Sequence, residues 1–115
     1  MKKQSLDSQM VKGHMDLLVL GLLQSRGAMH GYRIRQELTD LSGRVFQPSY
    51  GRLYPHLAEM EESGWLKSRT ELVGERRERK TYSITAKGKT ELKRRIEKWN
   101  LFSKGVGEVL KHCRL

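Results

Sequence analysis

Residues 48–57, near the middle of the chain, read PSYGRLYPHL and mark the start of a helix. Ser49 suits the position before such a helix, because its hydroxyl can accept a hydrogen bond from a free backbone amide one turn ahead. Beyond it, apolar side chains recur at helical spacing, at Leu53, Leu57 and Met60. The pattern stops at Gly64, after which Trp65 can fold back against the helix end. The stretch therefore predicts a helix of about residues 49–63 with one buried face.

Pro55 conflicts with a regular helix at this place, because proline lacks a backbone N–H and typically costs ~3 kcal/mol inside a helix. Two interpretations stay open from the residues alone. Either the helix kinks at Pro55, or its regular part begins near Tyr54 with Pro55 in the first turn, where the missing donor costs nothing.

Two further helices are predicted on the N-terminal side of this stretch. Residues 13–25 carry apolar side chains on nearly every face, which is typical of a helix buried at the centre of a small core. A second helix is predicted over residues 30–41, where apolar residues recur at i, i+4 and i+7, at Ile34, Leu38 and Leu41. The polar side chains of that helix, Arg35 among them, are expected to face solvent.

On the C-terminal side, two short segments of alternating character, near residues 66–72 and 81–84, predict a β-hairpin. The charged residues 73–78 between them are interpreted as its tip. Thr85 can cap a last helix. The order of helix, helix, helix, hairpin and helix predicts a mainly α fold with a small β-hairpin, the winged helix-turn-helix.

Along the last helix, apolar residues recur at alternating spacings of three and four, which is a heptad-like pattern. We expect this stripe to pair with a second copy of the chain through Leu92, Ile96, Trp99, Phe102, Val106 and Leu110. Gly105 and Gly107 weaken the helix, which is therefore predicted only to about Lys104. The predicted organisation is an N-terminal arm or helix start at 1–12, a DNA-binding domain at 13–84 and a dimerisation helix with its tail at 85–115.

The 115 residues include 23 Lys and Arg against 13 Asp and Glu, a net charge of +10. Such an excess favours a polyanionic partner, because phosphates attract it and counterion release drives association. Residues 48–66 are an exception with a net charge of −2, since Arg52 lies near the start of the predicted helix and three glutamates near its end. A helix entering the DNA major groove with its N-terminus first keeps that acidic end away from phosphates. It brings to the base edges Ser49, Tyr50, Gly51 and Arg52.

The predicted hairpin tip and the segment after it, about residues 73–80, carry four basic groups within five positions, Arg76, Arg77, Arg79 and Lys80. We expect them to contact the DNA backbone or minor groove. The alternative is a solvated, charged turn, and for Arg52 it is a surface arginine paired with a carboxylate one turn on. Basic charge does not distinguish DNA from RNA, so an RNA-associated protein remains an alternative, as does an adaptor whose last helix binds another protein.

Nothing in the sequence favours catalysis, a cofactor or a metal site, and we expect the chain not to be an enzyme. The four histidines are not spaced to place two on one helix face as metal ligands. Cys113 is the single cysteine, so the fold does not depend on a disulfide. The first residues lack the apolar stretch of a signal peptide. The longest apolar run, residues 17–23, is far shorter than the roughly 20 residues that span a bilayer. We therefore expect a cytoplasmic protein without membrane contact.

Four stretches together resemble the PadR family of bacterial transcriptional regulators: KGHMDLLVLGLL at 12–23, HGY at 30–32, PSYGRLYPHL at 48–57 and RKTYSITAKG at 79–88. The resemblance implies a winged helix-turn-helix whose C-terminal helix dimerises and which usually represses transcription. It also implies a recognition helix with a proline at the place of Pro55.

By this resemblance, the surface that reads DNA includes or adjoins Ser49, Tyr50, Gly51, Arg52 and Tyr54, while His30 and Tyr32 touch phosphates. Tyr32 and Tyr54 have an alternative role as packing residues with a hydroxyl at the edge. Trp99 is either an anchor of the dimer seam or the wall of a pocket for a small-molecule effector. The family commonly has proline where Tyr50 stands and a small residue where Arg52 stands, so its base preference does not carry over.

Overall fold

Four helices and a three-stranded antiparallel sheet make up the part of the chain that the structure describes. The computed structural model covers residues 8–75 and 77–115, and all their side chains except those at positions 8–10, 12, 73 and 77. In chain order the elements are α1 (Ser8–Arg26), β1 (Met29–His30), α2 (Gly31–Leu41), α3 (Tyr50–Glu62), β2 (Leu66–Val73), β3 (Arg77–Ile84) and α4 (Ala86–Leu110). The predicted fold class, mainly α with a small hairpin, is confirmed.

The core lies where α1, α2 and α3 meet the base of the hairpin and the start of α4. Its fully buried side chains come mostly from the three predicted stripes, and they are Val19, Leu20, Leu23, Ile34, Leu53, Leu57 and Met60. Leu41 was predicted on the same stripe as Ile34, but it is 54% exposed because α2 ends there. These contacts fix the buried face of α3 and leave its opposite face free.

α3 ends in the way that the sequence predicts. Gly64 adopts a φ of +83°, and its amide donates to the Glu61 carbonyl at 3.0 Å. The Trp65 amide donates to the Met60 carbonyl, also at 3.0 Å. This pair of bonds is the Schellman motif, and the Trp65 ring packs against the core beside it.

The N-terminus of α3 tests one of the two interpretations of Pro55, the late start of the helix. The amides of Arg52 and Leu53 both donate to the Ser49 carbonyl, at 3.2 and 2.9 Å, so the helix begins at Tyr50 and continues through Pro55. A later start near Tyr54 is therefore wrong. Pro55 cannot donate to the carbonyl of Gly51, but Gly51 is exposed, so water can replace that bond. Ser49 occupies the capping position with an extended backbone, although its hydroxyl makes no capping bond.

The sheet has the order β1-β3-β2, and β1 is an element that the sequence does not predict. Met29 pairs with Tyr82 and His30 with Thr81, so His30 lies in a strand and α2 begins one residue later than predicted. A strand of two residues is too short to show alternation in the sequence.

The hairpin strands are longer than predicted, which changes the place of its basic residues. β2 continues to Val73 and β3 begins at Arg77, so Arg77, Arg79 and Lys80 lie along a strand and not at the tip. Arg79 and Lys80 are exposed, and at such outer strand positions solvent can accept charged side chains on both faces. Because both faces of this part of the strand carry charged residues, its sequence resembles that of a solvated turn. Arg76 lies outside the described residues, as does the side chain of Arg77.

Both terminal helices are longer than predicted. α1 is described from Ser8, so residues 8–12 belong to the start of this helix, and residues 1–7 of the predicted arm or helix start lie outside the described residues. α4 begins after Thr85, whose hydroxyl accepts from the Gly88 amide at 3.0 Å as predicted, and it runs to Leu110 instead of ending near Lys104. Two glycines cost only about 0.5–1 kcal/mol each, which is too little to end a helix of 25 residues.

Candidate nucleic-acid interface

The N-terminal end of α3 presents the predicted base-reading residues to solvent. Ser49, Tyr50, Gly51, Arg52 and Tyr54 are all exposed, while the opposite face of the helix is buried in the core. The three glutamates of α3 lie at its other end. The partial positive charge of the helix N-terminus and Arg52 therefore share one exposed surface, to which an anion is attracted.

Three tyrosines form a continuous stack across this surface. The ring centroids of Tyr32 and Tyr50 lie 6.1 Å apart with planes 8° from parallel. Those of Tyr50 and Tyr54 lie 5.7 Å apart at 21°. All three remain exposed, by 57%, 37% and 43% respectively. In this tyrosine stack (Tyr32, Tyr50 and Tyr54) each ring packs against a neighbour and also faces solvent, so the two sequence-based alternatives for Tyr32 and Tyr54 are compatible.

Arg35 supports the stack, although the sequence placed it toward solvent. Its Nε donates to the Pro48 carbonyl at 2.7 Å, and its guanidinium carbon lies 5.0 Å from the centre of the Tyr50 ring. One side chain of α2 thus holds both the segment before α3 and the central ring of the stack. A cation over a tyrosine face contributes ~0.5–2 kcal/mol. No local sequence signal identifies Arg35, because both contacts depend on how α2 and α3 pack.

Gly31, the residue after His30, lies against the Tyr54 ring and has no room for a side chain. A Cβ at this buried position would collide with the Tyr54 ring. Tyr54 therefore lies directly on the first turn of α2, and this close approach fixes one end of the tyrosine stack.

His30 connects the helices to the β-hairpin. Its Nε2 lies 3.0 Å from Nη1 of Arg79. Arginine has donors only, so Nε2 accepts and the ring proton is on Nδ1 in this contact. That Nδ1 is buried and has no hydrogen-bond partner among the residues that the structure describes. The structure thus places His30 against a basic side chain of β3 and beside the predicted DNA surface.

Along the hairpin, the described basic side chains remain accessible. Arg79 and Lys80 are exposed and, as neighbours on a strand, point to opposite faces. On β2, Arg69 pairs with Glu71 at 2.6 Å in an exposed contact. Exposed pairs of this kind contribute only ~0–1 kcal/mol, so Arg69 can exchange Glu71 for another anion.

The far end of α3 is fixed to the hairpin. Ser68 of β2 donates to a carboxylate oxygen of Glu61. Burial raises the pKa of the nearby Tyr82 hydroxyl, and the charge of Glu61 and the proximity of Tyr54 raise it further. Tyr82 therefore stays neutral beneath the surface, and α3 is held at both ends.

The predicted stripe on α4 is largely exposed. Leu92 is buried in the core of its own chain, whereas the other five residues are 41–61% exposed, namely Ile96, Trp99, Phe102, Val106 and Leu110. The His14 and Trp99 rings pack edge to face with their centroids 5.3 Å apart, and the centroids of the Trp99 and Phe102 rings lie 6.1 Å apart. An open groove between α1 and α4 is lined by Gln24, Lys89, Leu92, Lys93, Ile96 and Glu97. Trp99 does not line it.

Across residues 8–75 and 77–115, no three His, Cys, Asp or Glu side chains are grouped so that they could hold a metal ion. Over the same described ranges, no helix has the length and hydropathy needed to cross a membrane.

The sequence and the fold are similar to known regulators. The model of the "Transcriptional regulator PadR-like family" matches residues 19–94. The "Negative transcriptional regulator PadR" of Bacillus subtilis is 32% identical over 74 residues, which are 64% of this chain and 40% of that protein. The chain thus matches less than half the length of that relative.

Two solved structures show the same similarity in three dimensions. A transcriptional regulator from Clostridium thermocellum superposes with a TM-score of 0.80 at 28% identity, covering 88% of this chain and 97% of that one. Bacillus subtilis PadR in complex with operator DNA superposes with a TM-score of 0.66 at 29% identity, covering 71% of this chain and 46% of that one.

Proposed function

The chain belongs to the PadR-like family of transcriptional regulators, and on that premise we propose that it binds a specific duplex operator as a homodimer and represses transcription. Residues 13–84 form the DNA-binding part in this proposal, and residues 85–115 form the dimerisation helix and tail. A relative that binds operator DNA and one that acts as a negative regulator support the two parts of this assignment.

The observation that carries the proposal is the ordered, exposed N-terminal end of α3. The major groove accepts one helix, and a side chain at the helix N-terminus reaches the base edges. Arg52 is exposed there and can donate two hydrogen bonds to a guanine, while Ser49 has a hydroxyl not used for capping. The tyrosine stack lies beside them, with hydroxyls suited to phosphate oxygens or base edges.

The hairpin supplies the second contact of the proposed complex. Arg79, held by His30, and Lys80 approach the sugar-phosphate backbone or the minor groove next to the site of α3. Arg76 and Arg77 precede them in the sequence and are proposed to add to this contact. Such contacts position the protein without reading sequence.

The exposed stripe on α4 supports the dimer. Five apolar side chains that include Trp99 and Phe102 form one face of this helix, and aromatic side chains of this kind contribute most to interface stability. A two-fold dimer that reads DNA places its two recognition helices about 34 Å apart, one turn of the duplex.

The test begins with selection of duplexes from a random-sequence pool by the full chain. Fluorescence anisotropy over a salt series then compares the most enriched duplex with a scrambled duplex and with RNA of the same sequence. We expect the enriched duplex to bind ~10³-fold more tightly than the scrambled one. Equal affinity for all three probes, or preference for the RNA, would contradict the proposal.

A further inference from the structure

Asp16 of α1 contacts two other helices at once. One carboxylate oxygen, Oδ1, pairs with Nε2 of His56 on α3. The other, Oδ2, pairs with Nη2 of Arg95 on α4 at 3.0 Å. All three side chains are only 20–23% exposed, so water competes weakly for these bonds. A single carboxylate therefore links the recognition helix to the helix of the proposed dimer.

Arg95 makes the link rigid from the side of α4. Its Nε donates to Glu91 at 2.6 Å. Its guanidinium lies 5.0 Å from the ring centre of Trp65, the residue that terminates α3. Arg95 thus meets α3 at two places, at His56 through Asp16 and at the helix end through Trp65.

The charge state of the cluster suits this role. Burial raises the pKa of Asp16, but the hydrogen bond from His56 and the charges of His56 and Arg95 outweigh that effect and leave the pKa below its usual value. Glu91 is the other acid facing Asp16, and it is neutralised in turn by Arg94 and Arg95. Asp16 therefore stays ionised at neutral pH and keeps both partners.

The position of His56 on α3 transfers this constraint to the DNA surface. His56 lies four residues after Arg52, one helical turn from the base-reading end and on the same side of the helix. The contact between Asp16 and His56 therefore restrains movement of α3 relative to the core.

From this geometry we infer that Asp16 is a positioning residue, which sets the angle between α3 and α4 and thereby the distance between the two recognition helices in the DNA-bound dimer. The inference rests on the proposed function. A change of about 5° over the 13-residue length of α3, about 20 Å at 1.5 Å per residue, moves its end by roughly 1.7 Å, and the two copies of a symmetric dimer together change the spacing by roughly 3.4 Å. That change is close to the ~3.4 Å rise of one base pair. Loss of the link is therefore expected to relax the required spacing of the half-sites.

Two neighbouring arginines provide a matched pair of variants. Arg94 and Arg95 both bond to Glu91, at 2.7 and 2.6 Å, and each replacement by Met removes one positive charge from α4. Of the two, Arg95 alone is bonded to Asp16 and stacked on Trp65. Arg95→Met tests the link, and Arg94→Met controls for charge and for the bond to Glu91.

The experiment uses the full chain and the duplex most enriched from a random pool, with one base pair inserted or removed between its half-sites. For the unmodified chain and for Arg94→Met, we expect each altered spacing to weaken binding about ten-fold. For Arg95→Met, the three duplexes are expected to differ by no more than about two-fold. A chain that is merely less stable loses affinity on all three duplexes and keeps the ten-fold ratio, and that result would overturn the inference.

His56→Gln approaches the link from the side of α3 and guards against a folding defect in Arg95→Met. Because both substitutions act through Asp16, the double variant is expected to relax spacing no further than either single one. Independent effects that multiply would overturn the inference, since they mean that the two residues act separately. If no duplex is enriched at all, the proposed function fails and this inference with it. An enriched duplex with unchanged spacing preference in the variants removes this inference alone.

Discussion

The side chain of Tyr50 is held in one conformation by contacts within the chain. Its ring is held between Tyr32 and Tyr54, with the Arg35 guanidinium against it. A side chain that is already ordered loses less conformational entropy on binding than a free one, by ~0.5–1.5 kcal/mol. In the proposed complex, the support of Tyr50 is therefore expected to contribute to DNA affinity even where Arg35 does not touch DNA.

We expect Arg35→Met to weaken binding of the enriched duplex about five- to ten-fold, because Tyr50 and Pro48 lose their common support. Arg33→Met is the matched control, since Arg33 is an exposed arginine of the same helix that pairs only loosely with Glu37 at 3.5 Å. The slope of affinity against salt should be unchanged in Arg35→Met, measured by anisotropy. A slope flattened by ~1 per subunit would instead identify Arg35 as a phosphate contact.

Gly31→Ala is expected to displace the Tyr54 ring and to destabilise the fold by ~1–3 kcal/mol, the usual range for overpacking. Gly21→Ala is the control, because nothing lies within 4 Å of a Cβ at that helical position, and there alanine should stabilise by roughly 0.5–1 kcal/mol. Thermal unfolding measures both variants, and the near-UV circular dichroism of the tyrosines reports the stack. A Gly31→Ala chain with unchanged stability and an unchanged tyrosine signal would contradict the expectation.

Among the elements, those with a buried face were predictable and those without one were not. α3 was assigned within a residue at each end, because Leu53, Leu57 and Met60 recur at the helical period. β1 pairs through only two residues, and residues 78–80 of β3 are exposed on both faces, so neither leaves a pattern in the sequence. The end of α4 was predicted too early, since isolated glycines weaken an exposed helix without ending it.

The residues of the candidate site also fall into those that the sequence could predict and those that it could not. The exposure of Tyr50 and Arg52 was predictable from their place at the start of α3, next to a recognisable apolar stripe, whereas Tyr54 was assigned to the site only by the family resemblance. Arg35 and Asp16 were not predictable, because their partners are distant in the chain. Arg35 bonds to a residue 13 positions away, and Asp16 to one 40 positions away. Such contacts follow from packing that no local pattern encodes.

The carboxylates that Arg94 and Arg95 neutralise predict an acid-dependent loss of stability. Bonds from Arg94 and Arg95 lower the pKa of Glu91 to about 2 from its usual 4.5. The pKa of Asp16 is also below its usual value. A lowered folded-state pKa gives stability that is fully present above the unfolded pKa. That stability is lost as the pH falls through about 4.5 toward 2. Urea unfolding across this range should show Glu91 contributing on the order of 1 kcal/mol after solvent screening. Glu91→Gln should flatten the curve, and an unchanged curve would exclude this contribution.

At the scale of the whole molecule, the stripe on α4 is expected to hold two copies together. Phe102→Ala should raise the dissociation constant of the dimer at least ten-fold, because a largely buried aromatic side chain at an interface typically contributes 2 kcal/mol or more. Leu101→Ala is the control, since Leu101 is 74% exposed on the opposite side of the same helix. Sedimentation equilibrium measures both. Equal effects, or a chain that is monomeric at every concentration, would place the dimer contact elsewhere.

The separation of charge along α3, with Arg52 at one end and Glu59, Glu61 and Glu62 at the other, has a consequence for how a promoter is read. In the proposed complex each recognition helix enters the groove in one direction only, so two copies related by a two-fold axis bind the same base sequence on opposite strands. Such a palindromic site does not define the direction of transcription. Whether binding blocks RNA polymerase then depends on the position of the operator within the promoter. One such operator between two divergent genes can control both.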